Sequence, residues 1–238
     1  MKINSWKTSL VLLVIIPMGL FAQNEKSLWF DVKVGLNSSW ILNQNAYTNR
    51  EMGYGSTFTP SMGIGASYFM NEDWGVNVSP GYIRLGQNYN EDLSLGSATR
   101  QLKLSYIQVP LLLMYKIPMT SNPTWLAFGP DLMFLSSASQ EFTKTGDYLL
   151  NNPADMAPGD IKERFKPFDL ALNFSVNKMY PLRSTDKMMF LVSFNTALGL
   201  TDINSKDWQK PNVHNEYKGS HNFYMGINVG LMFNTSKD

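Results

Sequence analysis

The sequence predicts an all-β chain: an eight-stranded, antiparallel, up-and-down barrel that crosses a membrane with its strands. Three observations carry this. Apolar and polar residues alternate with period two in eight separate windows. The connections between the windows alternate between long and short. Aromatic residues gather at both ends of the windows, on the apolar parity.

Composition agrees. The 238 residues hold 13% aromatic and only 16% charged residues, where about 25% charged is usual for a soluble domain. Mean hydropathy is nevertheless −0.19, because strands that alternate lipid-facing and lumen-facing residues average out over a window. The net charge of +1 gives no footing for a nucleic-acid partner. The absence of cysteine removes disulfides, thiolate metal sites and cysteine nucleophiles.

Residues 1–22 read as a signal peptide and 23–238 as the barrel domain. Lys2 and Lys7 precede an apolar core at residues 10–16, which Pro17 and Gly19 end. Cleavage after Ala22 would leave Gln23 first, with Leu20 at the −3 position. The core is too short to be an anchor, since a spanning helix needs about 20 residues.

In a strand, residues i and i+2 share a face. In the first window Phe30, Val32, Val34, Leu36 and Trp40 oppose Asp31, Lys33, Gly35, Asn37 and Ser39. In the second, Phe58, Met62, Ile64, Ala66 and Tyr68 oppose Thr59, Ser61, Gly63, Gly65 and Ser67. The third sets Trp74, Val76, Val78 and Tyr82 against Gly75, Asn77, Ser79 and Gly81. The fourth, residues 102–115, carries Ile107, Val109, Leu111, Leu113 and Tyr115 on one parity, with Gln108 and Pro110 on the other. The fifth, residues 125–135, sets Leu126, Phe128, Leu132 and Phe134 against Ala127, Gly129 and Asp131. The sixth sets Phe168, Leu170, Leu172, Phe174, Val176 and Tyr180 against Asp169, Ala171, Asn173, Ser175 and Asn177. The seventh sets Phe190, Val192, Phe194 and Leu198 against Ser193, Asn195, Ala197 and Gly199. The eighth sets Phe223, Met225, Ile227, Val229, Leu231 and Phe233 against Asn222, Tyr224, Gly226, Asn228 and Gly230. Helix is the poorer reading, because the period is 2 and glycines interrupt nearly every run.

The connections at 41–57, 87–101, 136–167 and 201–221 are expected to be long, and those at 71–73, 116–124 and 181–189 shorter. Such alternation places both termini on the short-turn side, expected to be the periplasm. Phe30, Tyr68, Trp74, Tyr115, Tyr180, Phe190 and Phe233 mark the short-turn ends of the apolar parity; Trp125 marks the remaining end one residue off it. Trp40, Phe58, Tyr82, Phe134, Phe168 and Phe223 mark the opposite ends. Amphipathic rings prefer the headgroup boundary. At ~3.3 Å per residue and ~40° of tilt, the ten residues from Phe30 to Trp40 climb roughly 25 Å, the height of such an apolar band.

The polar parity fills the interior. Asp31, Lys33, Gln108, Asp131, Asp169 and Asn195 are expected to form a structural network in a filled lumen, since eight strands leave room only for side chains. A proton or ion relay through the carboxylates is the competing reading. No catalytic constellation is evident. His214 and His221 fall in the last long connection, without further ligands at metal spacing. Asp202, Asn204 and Asp207 lack the glycine and distal glutamate of a calcium loop. Gly63 and Gly65 lie inside a strand, so they do not form a nucleotide loop. Tyr47, Tyr89, Tyr148, Trp208 and Tyr217 are the aromatic loop residues available to anchor a partner, with ordinary loop packing as the alternative reading.

Residues 106–115, YIQVPLLLMY, resemble the "YIEIPLLLKY" strand of PorT-like outer-membrane β-barrel proteins. Phe128-Gly129-Pro130 followed by residues 135–138, LSSA, resembles the next strand of that family, and residues 198–203, LGLTDI, its "YGLTNI" segment. Gln108 stands where an acid is common, and Asn173 and Ser175 where the sixth strand often carries glycines. The resemblance implies an eight-stranded barrel integral to the bacterial outer membrane. It further implies a non-enzymatic role as scaffold or accessory of an envelope complex, with type IX protein secretion as the best-known case. The alternative is a stand-alone surface barrel whose long loops bind an external ligand, in the manner of an adhesin. The expected partners are outer-membrane lipid and other envelope proteins; no cofactor, metal, nucleic acid or small-molecule substrate is expected.

Overall fold

The computed structural model describes residues 27–43, 52–118, 120–147, 156–182, 187–211 and 215–234. The expected signal peptide, together with Tyr47, Tyr148 and His214, lies outside them.

Eight staves form the wall. They are β1 (Ser27–Leu42), β3 (Phe58–Phe69), the pair β4 (Trp74–Val78) and β5 (Gly81–Leu93), β6 (Gly96–Lys116), β7 (Thr124–Gly146), β9 (Phe168–Pro181), β10 (Met188–Gly199) and β11 (His221–Asn234). Two short strands sit in the connections: β2 (Gly53–Gly55) pairs with β5, and β8 (Gly159–Asp160) pairs with β7. Every pairing is antiparallel, and β1 pairs with β3 on one side and β11 on the other, so the sheet closes on itself. Closure leaves no stave edge unpaired, which a strand in hydrocarbon requires.

β4 and β5 are one stave in a single register. Ala66 pairs with Val78 and Gly63 with Gly81 across β3, and the interruption falls at Ser79 and Pro80. Pro80 has no N–H to give the ladder, but its carbonyl still accepts from the Ile64 amide at 3.1 Å.

The register fixes the barrel geometry. Phe30 pairs with Ala66, Ala66 with Val78, and Val78 with Leu111. Pro130 lies level with Leu111, between the Pro110–Asp131 and Leu113–Phe128 pairs. From there the path runs through Leu172, Leu198 and Phe223 to Trp40. One circuit therefore advances ten residues along β1, from Phe30 to Trp40. Eight strands with that stagger tilt by about 40°.

Side-chain burial follows the parity. Along β1, Val32, Val34 and Leu36 are exposed on the outer wall while Asp31, Asn37 and Ser39 are buried inside. The aromatic residues of the outer parity form two rings. The short-turn ring contains the cross-strand pairs Phe30–Phe233, Trp74–Tyr115 and Tyr180–Phe190, together with Tyr68. The long-loop ring contains Trp40–Phe223 and Phe134–Phe168, with Phe58 and Tyr82. Ring centroids lie 4.9–5.6 Å apart in Trp74–Tyr115, Phe134–Phe168 and Trp40–Phe223. Trp125, one residue off parity, points inward instead and stacks on Phe69 at 4.5 Å.

One of the expected long loops is strand, and another begins as strand. Residues 87–101 continue β5 and β6 into a hairpin that turns at Ser94 and Leu95, and β7 runs on to Gly146. Beyond the long-loop ring the outward face of the wall is polar, and the alternation that marks the lower strands disappears. Where β7 passes Ser136 it carries one extra residue against Ser105 and Tyr106, and Ser136 Oγ donates to the Ser105 carbonyl at 2.9 Å. This bulge resets the inward parity from Met133 and Leu135 to Ala138 and Gln140. The result is a β5–β6–β7 sheet that stands roughly 25 Å above the ring, eleven residues past Tyr82.

Candidate functional site

The interior is layered. At the short-turn end Trp29, Phe69, Leu112, Met114, Trp125 and Met179 form a buried apolar plug. At the long-loop end a larger apolar cluster, including Ile41, Ile83, Leu102, Leu104 and Met133, is roofed by Ile161, Phe165 and Ile203 from the connections. The polar layer lies between them.

The expected lumen residues occupy that layer but do not form one chain. Lys33 Nζ approaches Asp31 Oδ1 at 3.8 Å. Asn37 donates to Ser61 Oγ at 2.9 Å, Ser61 to Asn228 Oδ1 at 3.2 Å, and Asn228 to Asn195 Oδ1 at 2.7 Å. Gln108 borders a central cavity of about 60 Å³ with Asp31, Lys33 and Asn195, room for several waters. Asp131, fully buried, accepts from Tyr224 at 3.2 Å and Asn173 at 3.5 Å. Asp169 accepts from Thr201 and from Asn222 at 2.9 Å, and Asn222 also donates to Tyr106 at 3.1 Å. The carboxylates are thus held in separate clusters, each by its own donors, with no hydrogen bond from one acid to the next among the described residues.

Sequence reasoning missed the hydroxyls of Tyr106 and Tyr224. Both stand on the luminal parity, fully buried, beside the acids they serve. Their position among polar residues was the available signal, but an aromatic ring reads first as wall or plug. The plugs were missed for a related reason: Trp29, Phe69 and Trp125 lie at strand ends, where the aromatic rings of the outer wall also lie.

His221 is the first residue of β11, within electrostatic reach of Asp169. It makes no side-chain hydrogen bond among the described residues. No group of metal-ligating side chains occurs among those residues.

The connection between β10 and β11 is organised by Asp202. Its carboxylate accepts from Tyr217 OH at 2.7 Å, from Gln209 at 2.7 Å, and from the Ser220 and Asn204 amides at 3.0 and 3.2 Å. Lys166 Nζ lies 3.7 Å away. Partial burial alone would raise the Asp202 carboxyl, but the bonds from Tyr217, Asn204, Ser220 and Gln209 outweigh it and hold it below the usual range. These donors take up both Asp202 oxygens. Trp208 is flanked by Arg164 at 4.1 Å and Lys210 at 4.2 Å. Tyr89 is buried on the inner face.

A closed antiparallel barrel with an apolar outer wall and a polar layer inside defines an integral membrane β-barrel. The chain belongs to the outer membrane protein beta-barrel domain family, whose model matches residues 21–205, and the protein is one of the bacterial outer membrane. Among solved structures it is similar to Neisserial surface protein A, with 13% identity over 88% of this chain and 99% of that one, at a TM-score of 0.44. It is similar also to OprG from Pseudomonas aeruginosa, with 12% identity over 90% and 99% at 0.42. A third is Ail, the attachment invasion locus protein of Yersinia pestis, with 12% identity over 86% and 98% at 0.35. No curated protein matches the chain.

Proposed function

We propose that the protein is a non-enzymatic, non-conducting barrel that serves as a scaffold or accessory of an envelope protein complex. Type IX protein secretion is the assembly to which the PorT-like resemblance points. In this reading the two aromatic rings sit at the two membrane interfaces, the short turns and both termini face the periplasm, and the long-loop end stands at the cell surface. The luminal polar residues are structural.

The observation that carries the reading is the pair of apolar plugs on either side of the polar layer. They support a filled interior, in which case the working surfaces are the two ends and the outer wall. The projecting β5–β6–β7 sheet favours a second reading, a stand-alone surface barrel whose loops bind an external ligand.

Affinity purification of the tagged full chain from detergent-solubilised outer membranes separates the two. Stoichiometric envelope proteins, including type IX components, are expected with the scaffold. A chain that purifies alone, and whose secreted proteins are exported normally when it is deleted, overturns that role and leaves the surface binder.

A further inference from the structure

We infer that the outward face of the β5–β6–β7 sheet binds the headgroup of an outer-leaflet glycolipid, a phosphorylated saccharide carried on acyl chains. The inference rests on the proposed orientation, with the long-loop end at the cell surface.

Directly opposed residues of an antiparallel pair share a face. On the outward face the register builds rows. Nearest the aromatic ring, two residues above Tyr82, stand Arg84, Ser105 and Ser137. Lys103 and Ser139 follow. Above them lie Asn88, Gln101 and Glu141, then Asn90, Thr99 and Thr143. β2 extends the upper rows by Gly55 opposite Asn88 and Gly53 opposite Asn90. The two glycines omit side chains at this edge, and a hollow of about 260 Å³ opens between Gly55 and Thr143.

The chemistry of the hollow is narrow. Its lining has no aliphatic or aromatic side chain, so it offers nothing to an apolar ligand. Asn90, Thr99, Gln101 and Thr143 make no side-chain hydrogen bond among the described residues. Each amide presents two donors and an acceptor, the pattern that adjacent sugar hydroxyls match. The Glu141 charge is tied to Lys103. Below the hollow, the Arg84 side chain reaches the Tyr82 hydroxyl while its Nε has no partner, and a guanidinium is suited to phosphate.

The vertical order identifies the ligand as a lipid. From the wall upward the face presents apolar residues and aromatics, then Arg84 with the Ser105 and Ser137 hydroxyls, then the Lys103–Glu141 ion pair, then amides and hydroxyls. A glycolipid standing in the leaflet presents acyl chains, phosphate and sugar in the same order. The hollow faces sideways over the leaflet, in plane with the lipid-facing wall beneath it, so a ligand seated there is beside the barrel rather than above its mouth.

The test uses the refolded full chain in symmetric nanodiscs of phosphatidylglycerol containing lipopolysaccharide, with binding read by native mass spectrometry. Wild type is expected to bind lipopolysaccharide about tenfold more tightly than the Thr99→Val/Gln101→Leu variant, and Arg84→Gln is expected to weaken binding similarly. The delipidated core oligosaccharide is expected to bind far more weakly than the intact lipid. Equal binding by wild type and both variants overturns the inference. Equal affinity for the free oligosaccharide also overturns it, in favour of a soluble glycan. All three changed residues point away from the interior, and the heat-modifiable gel shift checks that each variant is folded; Asn90→Leu provides an independent second variant of the hollow.

Orientation is read separately. Thr99→Cys, the only thiol in an otherwise cysteine-free chain, is labelled in whole cells with an impermeant maleimide. Failure to label removes the proposed orientation without affecting the nanodisc affinity, because both leaflets of the disc carry the glycolipid.

Discussion

Luminal side chains of this barrel are accommodated by what is missing opposite them. Asn228 lies across Gly35, where an added Cβ would fall 1.8 Å from Asn228 Oδ1 and 2.7 Å from Ser61 Oγ. The close approach lets Asn228 reach Asn195 on one side and Ser61 on the other. Gly35→Ala should destabilise the barrel by about 1–3 kcal/mol through overpacking. Only side-chain atoms obstruct the new methyl, so adding Asn228→Ala should recover part of that loss. Urea unfolding of the four species in detergent micelles measures the coupling, and strictly additive losses would contradict it. The glycine was legible in the sequence as a small luminal residue. Its partner was not, because the pairing register depends on turn and strand lengths that parity alone leaves open.

At the scale of elements, the strands below the long-loop ring were legible and those above it were not. Lipid on one side forces a strict alternation, which the sequence displays from Phe30 to Trp40 and from Phe223 to Phe233. Above the ring the outward face is polar, and the inner face mixes Leu102 and Leu104 with Arg100 and Gln87. Polar residues then occur on both parities, and strand looks like loop. The connection between β10 and β11 is ordered instead by a single carboxylate. Asp202 titrates below the usual carboxylate range in the folded chain, so its ionised form favours the folded loop. That contribution is complete above the ordinary aspartate value near pH 4 and fades as pH falls through the lower folded value. Hydrogen-exchange protection of the Ser220 and Asn204 amides, corrected for intrinsic rates, should therefore be lost progressively as pH falls below about 4. Asp202→Asn should weaken protection at pH 6 and remove this acid step; an unchanged profile in the variant would assign the ordering to other contacts.

For the molecule as a whole, closure is redundant. Removing the short-turn plug by Trp29→Ala, Phe69→Ala and Trp125→Ala leaves the long-loop cluster intact. Such a triple variant should remain as silent in planar bilayers as wild type, provided a gel shift shows it folded. Only a chain opened at both levels should conduct, and a stable open pore in the wild type would refute the filled lumen. Truncation of three large buried side chains should still lower stability by several kcal/mol, at about 3–5 kcal/mol for each well-packed aromatic, so the two measurements separate sealing from folding.

The seam between β1 and β11 is as complete as any junction of the wall: Trp29 stands opposite Asn234, and the pairing runs without interruption to Leu42 and His221. The order in which the chain visits the staves is therefore not imprinted on the finished wall. A circularly permuted chain, with residues 234 and 27 joined by a short flexible tether and new ends opened in the 71–73 turn, would have the same neighbours all round. The closed cylinder itself has no first strand.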